Sequence, residues 1–307
     1  MAAETAPLQT NVSAPKRQPD SPWRMAIRRF SRNRLAVIGL VIIVFMFLLC
    51  FIGPIFSPYS VLDTNVADKN LPPSSKYWLG TDKLGRDVLL RVMLAGRISL
   101  TVGLVATGIS VIIGATLGAL AGFYRKWVDT LIMRIADIFM ALPTLPILII
   151  MGAVLSDLKV EPGERIYFLM LIIGILGWSS ISRLVRGQIL TLREQEFMQA
   201  TEALGLKDRR KIFRHLLPNT IPIVIVSATL GVAGAIIAES SLSYLGVGVV
   251  PPTPSWGNMI TAANNMIDFR KRPWTWIPPG TCILMTVVAI NLIGDGLRDA
   301  LDPKMKK

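Results

Sequence analysis

Long uncharged apolar runs, separated by short basic segments, set the pattern of this chain. Residues 35–56, 98–123, 138–155, 166–182 and 275–294 carry no charge at all, and 220–245 carries only Glu239. A helix that crosses the hydrocarbon core of a bilayer needs about 20 predominantly apolar residues, so these runs predict six transmembrane helices in an all-α membrane protein. The third helix is expected to start near Leu131, where Arg134 and Asp137 stand at i,i+3 and can pair at the membrane edge. Pro143 and Pro146 fall inside it. Each frees a backbone carbonyl, a defect tolerated only where neighbouring helices or a water-lined cavity satisfy it. A kinked third span follows, either beside a pathway or as a plain structural kink.

Composition agrees with the spans. The 307 residues are 52% hydrophobic and 17% charged, with a mean hydropathy of +0.52, whereas soluble domains average about 25% charged. The net charge of +13 does not point to nucleic acid, because the basic residues lie between apolar runs rather than on a polar domain. They report orientation instead. Twenty-two Lys and Arg fall on the side of the N-terminus and 11 on the other, which places both termini in the cytoplasm. The largest basic cluster lies in the segment 183–219.

Residues 1–34 are polar and basic, and the apolar run after them is too long for a cleaved signal, so that run is expected to remain as an anchor. Residues 1–20, with Pro7, Pro15 and Pro19, read as a disordered tail, and the Asn11-Val12-Ser13 triplet there is a glycosylation pattern by spelling only. The domain division expected is a tail at 1–34, a first helix and extracytoplasmic loop at 35–97, and a helical core at 98–307. Cys50 and Cys282 lie in apolar runs without metal-ligand spacing and read as small core residues.

Three features carry candidate function. Gly114, Gly118 and Gly122 recur every fourth residue and strip one face of the second helix of side chains, the small-residue route to close helix packing in lipid. The partner is either another helix of this chain, the default, or a second subunit. Glu239 is the one acid well inside a span, where a carboxylate costs about 3 kcal/mol at mid-bilayer. It either faces a water-filled cavity or bonds neighbouring helices; proton coupling is disfavoured because Asp137 and Asp295 sit at the opposite face. In 183–219, Phe197, Ala200, Thr201 and Leu204 share one face of a short helix, and Gly205 follows where a left-handed cap is wanted. A second short helix is expected from an Asp208 N-cap to Pro218. Such helices can lie on anionic lipid or dock in a groove of a soluble partner.

Gln199-Ala200-Thr201, then Gly205, then Leu217-Pro218, resembles the cytoplasmic EAA loop of ABC-importer permeases, with matching spacing. Gln199 stands for the Glu, Thr201 for the second Ala and His215 for the Ile of that pattern. The run His215-Leu216-Leu217-Pro218-Asn219 is similar to the form found in the dipeptide/oligopeptide/nickel branch. Other segments resemble the C-type subunit of that branch: Leu79-Gly80-Thr81-Asp82 with Leu84-Gly85-Arg86-Asp87, Gly96-Arg97-Ile98-Ser99-Leu100, Leu242-Ser243-Tyr244-Leu245-Gly246, Pro251-Pro252-Thr253-Pro254-Ser255-Trp256-Gly257-Asn258, and Gly294-Asp295-Gly296 on to Asp302-Pro303. The resemblance runs from about Arg24 to the C-terminus.

This resemblance implies an N-terminal helix ahead of a five-helix permease core, in the inner membrane of a prokaryote. It implies a second permease subunit, two ATPase subunits and an extracytoplasmic substrate-binding protein as partners. The chain contains no Gly-Lys dipeptide and hence no G-x-x-x-x-G-K-[ST] phosphate loop, so ATP and Mg are expected on the partner subunits and no cofactor on this chain. Lone His215 has no second imidazole or thiol beside it, and an interface role is its default rather than a metal site. The expected function is a non-enzymatic permease subunit of an ATP-driven peptide importer, with nickel chelates or glutathione as alternative cargo. A self-sufficient secondary transporter or channel is the rival of another class. The coupling residues implied are Gln199, Ala200, Thr201, Gly205, His215, Leu217 and Pro218, with Pro143, Pro146, Glu239, Gly114, Gly118 and Gly122 as pathway or packing residues.

Overall fold

The computed structural model describes residues 22–60 and 63–301. The tail at 1–20 with its Asn11-Val12-Ser13 triplet, and the closing Asp302-Pro303, lie outside the described residues. Among the described residues the chain is helices and loops, with one isolated bridge between Thr81 and Asp87.

Helix α1 (Pro22–Arg32) leads into α2 (Arg34–Phe51) across Asn33, whose side chain accepts from the Leu35 and Ala36 amides at 3.1 and 3.2 Å. The first span stops at Phe51, short of the expected residue 56. Pro54 has no N–H to give to the preceding turn, and Gly53–Phe56 tightens into a 3-10 turn. Helix α3 (Val88–Tyr124) starts well before the expected residue 98. Its cap is Asp87, whose Oδ2 accepts the Leu90 amide at 2.7 Å. The charges that interrupt the apolar run are absorbed locally: Arg91 lies 3.5 Å from Asp82, and Arg97 donates to the Phe51 carbonyl at 3.1 Å.

The third apolar run is not one kinked helix. Helices α4 (Lys126–Ala141) and α5 (Thr144–Asp157) meet at 82°. Pro143 is the N-cap of α5, and Pro146 lies in its first turn, where a missing N–H has no intrahelical partner to lose. The two prolines therefore end one arm and start another. The expected Arg134–Asp137 pair is also replaced, since Asp137 pairs with Arg183 of α6 (Pro162–Leu192). A partner on a facing helix draws Asp137 away from its own.

After α7 (Glu196–Ala203) come α8 (Asp208–Arg210), a π-helical stretch at Lys211–Leu216 and α9 (Leu217–Tyr244). They run on without a break, so Pro218 closes no second short helix; it lies in the first turn of α9. A widened π turn relieves the clash that a proline ring makes with the carbonyl four residues back. The N-cap expected at Asp208 is Lys207 instead. Short helices α10 (Trp256–Ile260) and α11 (Met266–Lys271) precede α12 (Ile277–Leu301).

Five of these helical stretches are long and apolar enough to cross a membrane, and the bent α4–α5 pair makes a sixth if taken as one broken span. Helix α3 is central, packing on α6 and α9, while α2 and α12 pack on each other at the side. The glycine face of α3 meets α6. A Cβ built at Gly114, Gly118 or Gly122 would lie 2.6, 2.4 or 3.0 Å from the carbonyl oxygen of Trp178, Ser182 or Arg186. These carbonyls are themselves four residues apart, so two helical ridges run in register. The contact of the stripe is within this chain.

Candidate functional site

The segment 183–219 is fastened to the helix ends rather than laid loosely on them. Met198 of α7, with Ile212 and Leu216 of the π stretch, is buried against Phe123, Val185 and Ile189. Thr201 is buried too, its Oγ1 donating to the Met198 carbonyl at 2.7 Å. Gly205 has φ +66°. Its amide donates to the Glu202 carbonyl at 2.9 Å and the Leu206 amide to the Thr201 carbonyl at 3.1 Å, the paired bonds of a Schellman cap. Ion pairs brace the base of this segment: Arg186 grips Asp129 of α4 through Nε and Nη2 at 2.5 and 2.6 Å, and Arg125 meets Glu194 at 2.8 Å.

The single face expected from Phe197, Ala200, Thr201 and Leu204 is split by this anchoring. Thr201 points inward with Met198, while Gln199 and Ala200 are exposed and Leu204 is 78% exposed. Phe213 is 45% exposed at a cleft shared with Lys207, Arg209, Arg210 and Arg214. His215 is half-buried, and its carbonyl accepts from Asn219 Nδ2 at 2.6 Å; Leu217 is half-buried and Pro218 exposed. The expected residues thus divide into a buried anchor, Thr201, and exposed positions, Gln199, Ala200 and Leu204. Met198 is not legible from spacing alone, because its i,i+3 partner Thr201 also stands at i+4 from Phe197, on the face that carries Ala200.

Glu239 lies elsewhere. It is 0% exposed, and its carboxylate accepts from Ser243 Oγ at 2.7 Å, Ser99 Oγ at 2.8 Å and Ser240 Oγ at 3.4 Å. Ser243 Oγ in turn accepts the Val249 amide at 2.9 Å, and the Trp256 indole donates to the Val92 carbonyl at 3.0 Å. Segments far apart in sequence, 96–100, 242–246 and 254–258, therefore meet at one buried hub that ties α3, α9 and α10 together. Gly96 and Gly257 make the approach close: a Cβ would lie 2.2 Å from Cys50 Sγ at the first and 2.3 Å from the Ser240 carbonyl oxygen at the second. Cys50 is buried in the same core and Cys282 packs against it. Of the two environments open to Glu239, the bonded one is observed.

Before α3, the loop carrying Leu79–Asp87 is equally built. Thr81 Oγ1 donates to the Asp68 carbonyl at 2.5 Å, and Asp82 accepts the Leu84 and Arg86 amides at 2.8 and 3.0 Å. Hydrogen bonds from Lys76, and then from Tyr77, hold the Asp68 carboxyl below its ordinary pKa.

Between α3, α4, α5, α6 and α9 lies a cavity of about 400 Å³. The break between α4 and α5 borders it through Phe139, Met140 and Thr144, so the site of Pro143 adjoins the cavity while Glu239 does not line it. An apolar helical body with a cavity among its helices that carries hydroxyl groups, and an anchored basic loop at one end, define the class, a membrane transport subunit.

The chain belongs to the family of binding-protein-dependent transport system inner membrane components, which it matches over residues 114–307. Residues 21–73 match the N-terminal TM domain of oligopeptide transport permease C. It is 41% identical over 286 residues to a dipeptide transport system permease protein of Alkalihalophilus pseudofirmus, covering 93% of this chain and 91% of that one. An oligopeptide transport system permease protein of Bacillus subtilis is 40% identical over 287 residues, 94% of this chain and 91% of its own. A glutathione transport system permease protein of Pectobacterium atrosepticum is 37% identical over 287 residues, 93% and 92% of the two chains. The protein is accordingly a multi-pass permease subunit of a bacterial-type importer.

Proposed function

We propose that this chain is one of two permease subunits of an ATP-driven importer for short peptides and that both its termini are cytoplasmic. Two ATPase subunits bind the 183–219 end and hold ATP and Mg, while an extracytoplasmic binding protein delivers cargo at the other. Glutathione, itself a peptide and named for the Pectobacterium relative, stays within this cargo class. The observation that carries the coupling role is the anchored loop. Its buried side is spent on the helix ends, and the side left over exposes Gln199, Ala200 and Leu204, with Phe213 beside the basic residues Lys207, Arg209, Arg210 and Arg214. Such a surface transmits motion because Met198, Ile212 and Leu216 tie it rigidly to α3 and α6.

Two substitutions test it. Ala200→Asp places a charge on the exposed side, harmless in the free chain but costing several kcal/mol if buried unpaired against a partner. Gly205→Val meets no atom within 4 Å of its Cβ, so its whole effect is the strain of a β-branched residue at positive φ, roughly 1–2 kcal/mol, which re-aims the chain between α7 and α8. Both variants should reach the membrane at normal abundance and lose uptake, with the ATPase no longer co-purifying or no longer coupled. Normal uptake by both would remove the loop from the mechanism. Lipid docking predicts a third pattern, unchanged ATPase association for Ala200→Asp.

A further inference from the structure

The cavity between α3, α4, α5, α6 and α9 is lined by the hydroxyl residues Thr107, Ser110, Thr144, Ser179, Ser180 and Ser227, and no ionisable side chain lines it. Thr107 is the unusual member. Threonines at other positions give their hydroxyl to the carbonyl four residues back, Thr101 to Arg97 at 2.6 Å, Thr116 to Ile112 at 2.7 Å, Thr229 to Ile225 at 2.9 Å and Thr281 to Ile277 at 2.9 Å; Thr286 of α12 shares the unpaired state of Thr107 but does not line the cavity. Thr107 is 6% exposed, and its Oγ1 is buried without a partner. A buried hydroxyl left unpaired costs about 1–3 kcal/mol. Its neighbour across the gap is Gly231, where a Cβ would lie 3.2 Å from Thr107 Cγ2 and 3.6 Å from Oγ1. Gly234, one turn on, lines the cavity with nothing within 4 Å of its own Cβ position. Gly231 thus lets α9 pack closely on Thr107, and Gly234 leaves room in the cavity one turn on.

We infer that this cavity is a cargo subsite that binds the uncharged main chain of a peptide, with Thr107 as a specificity-determining residue. Each hydroxyl both donates and accepts, and each peptide unit offers one N–H and one C=O, so a hydroxyl wall fits any peptide sequence. A carboxylate or ammonium entering the cavity would lose its hydration with no counter-charge to replace it. The subsite therefore reads amides, and charged termini and side chains are held outside it. A cavity of about 400 Å³ lies within the range of small-ligand sites, about 300–1,000 Å³. The inference rests on the peptide-importer reading above.

The test uses the complete importer, with both permeases, the ATPases and the binding protein, reconstituted in proteoliposomes, and follows uptake of labelled Ala-Ala-Ala, Ala-Lys-Ala and Ala-Glu-Ala. Gly234→Leu, which fills the open space, should lower uptake of all three by about tenfold or more at matched amounts of assembled complex; Gly234→Ala should be near wild type. Thr107→Val, nearly isosteric but lacking the hydroxyl, should lower uptake about fivefold, and Thr107→Ser should restore it. Should Gly234→Leu impair assembly, the Thr107 pair decides alone. Wild-type uptake by Thr107→Val, the result expected of a cavity holding water only, overturns the inference, as does a loss confined to one of the three peptides. A wild-type importer that moves none of the peptides refutes the peptide reading itself. Peptide uptake with indifferent variants refutes only the subsite.

Discussion

Gly118→Ala should loosen the contact between α3 and α6 on which the rest of the bundle is assembled. The added Cβ would sit 2.4 Å from the Ser182 carbonyl oxygen and 3.0 Å from its carbonyl carbon and Cα, where ordinary contacts are 3.4–4 Å. The obstacle is backbone, which cannot swing aside, so the helices must part by about 1 Å. A gap of that size forfeits roughly a quarter to a half of the dispersion energy at the facing atoms, and overpacking of this kind costs about 1–3 kcal/mol. Gly108 on the same helix supplies the control, because its Cβ position has nothing within 4 Å. Gly108→Ala removes backbone freedom at no steric cost and should gain roughly 0.5–1 kcal/mol. The two substitutions are chemically identical and differ only in what the methyl meets. Thermal unfolding of the purified complex in detergent should place Gly118→Ala below wild type and Gly108→Ala at or above it. Equal midpoints for both would refute the close-packing argument, and with it the assignment of the stripe to a contact inside the chain.

Removing the acceptor of the buried hub is expected to be costly: Glu239→Ala leaves the Ser99 and Ser243 hydroxyls without the carboxylate they donate to and opens a cavity, for roughly 3 kcal/mol or more. Glu239→Gln, which keeps an acceptor oxygen, should retain most of the stability; membrane yield and unfolding temperature report the difference, and equal losses for both would show that the hydrogen bonds are not what matters. Orientation is checked with single cysteines in a background lacking Cys50 and Cys282. The reporters are Asp208→Cys, in the segment 183–219, and Met266→Cys, which replaces a side chain that is 65% exposed. An impermeant thiol reagent on intact cells should label position 266 and spare 208, and the reverse would overturn the assignment of both termini to the cytoplasm.

Legibility in the sequence followed the scale of the physics. Spans are written in hydropathy, which is additive over about twenty residues, so all six apolar runs became helical. Their ends are written in single capping and pairing contacts. Asp87 extends α3 far toward the N-terminus, and Arg183 and Arg186 remain inside α6 because Asp137 and Asp129 face them; neither partner is visible until the helices are packed. Pro143 announced a defect but not its size, since a proline pair fits a kink or an 82° break equally well in one dimension. The glycine period of α3 was legible, yet only the carbonyl ladder of α6 identified its partner. In the candidate site, Ala200 and Gly205 came from spacing, whereas Met198 and the unpaired Thr107 hydroxyl emerged only from burial. A periodicity argument sees a face but not which side of it is occupied.

The proposed role of this chain is that of a permease subunit driven by ATP hydrolysed on other subunits. Its most direct test is uptake of a labelled short peptide into proteoliposomes holding either this chain alone or the full complex with both permeases, the ATPases and the binding protein. Concentrative uptake is expected for the full complex only, dependent on ATP and on the binding protein, and none for the single chain under any imposed ion gradient. Accumulation of peptide by the single chain down a proton or sodium gradient would contradict it.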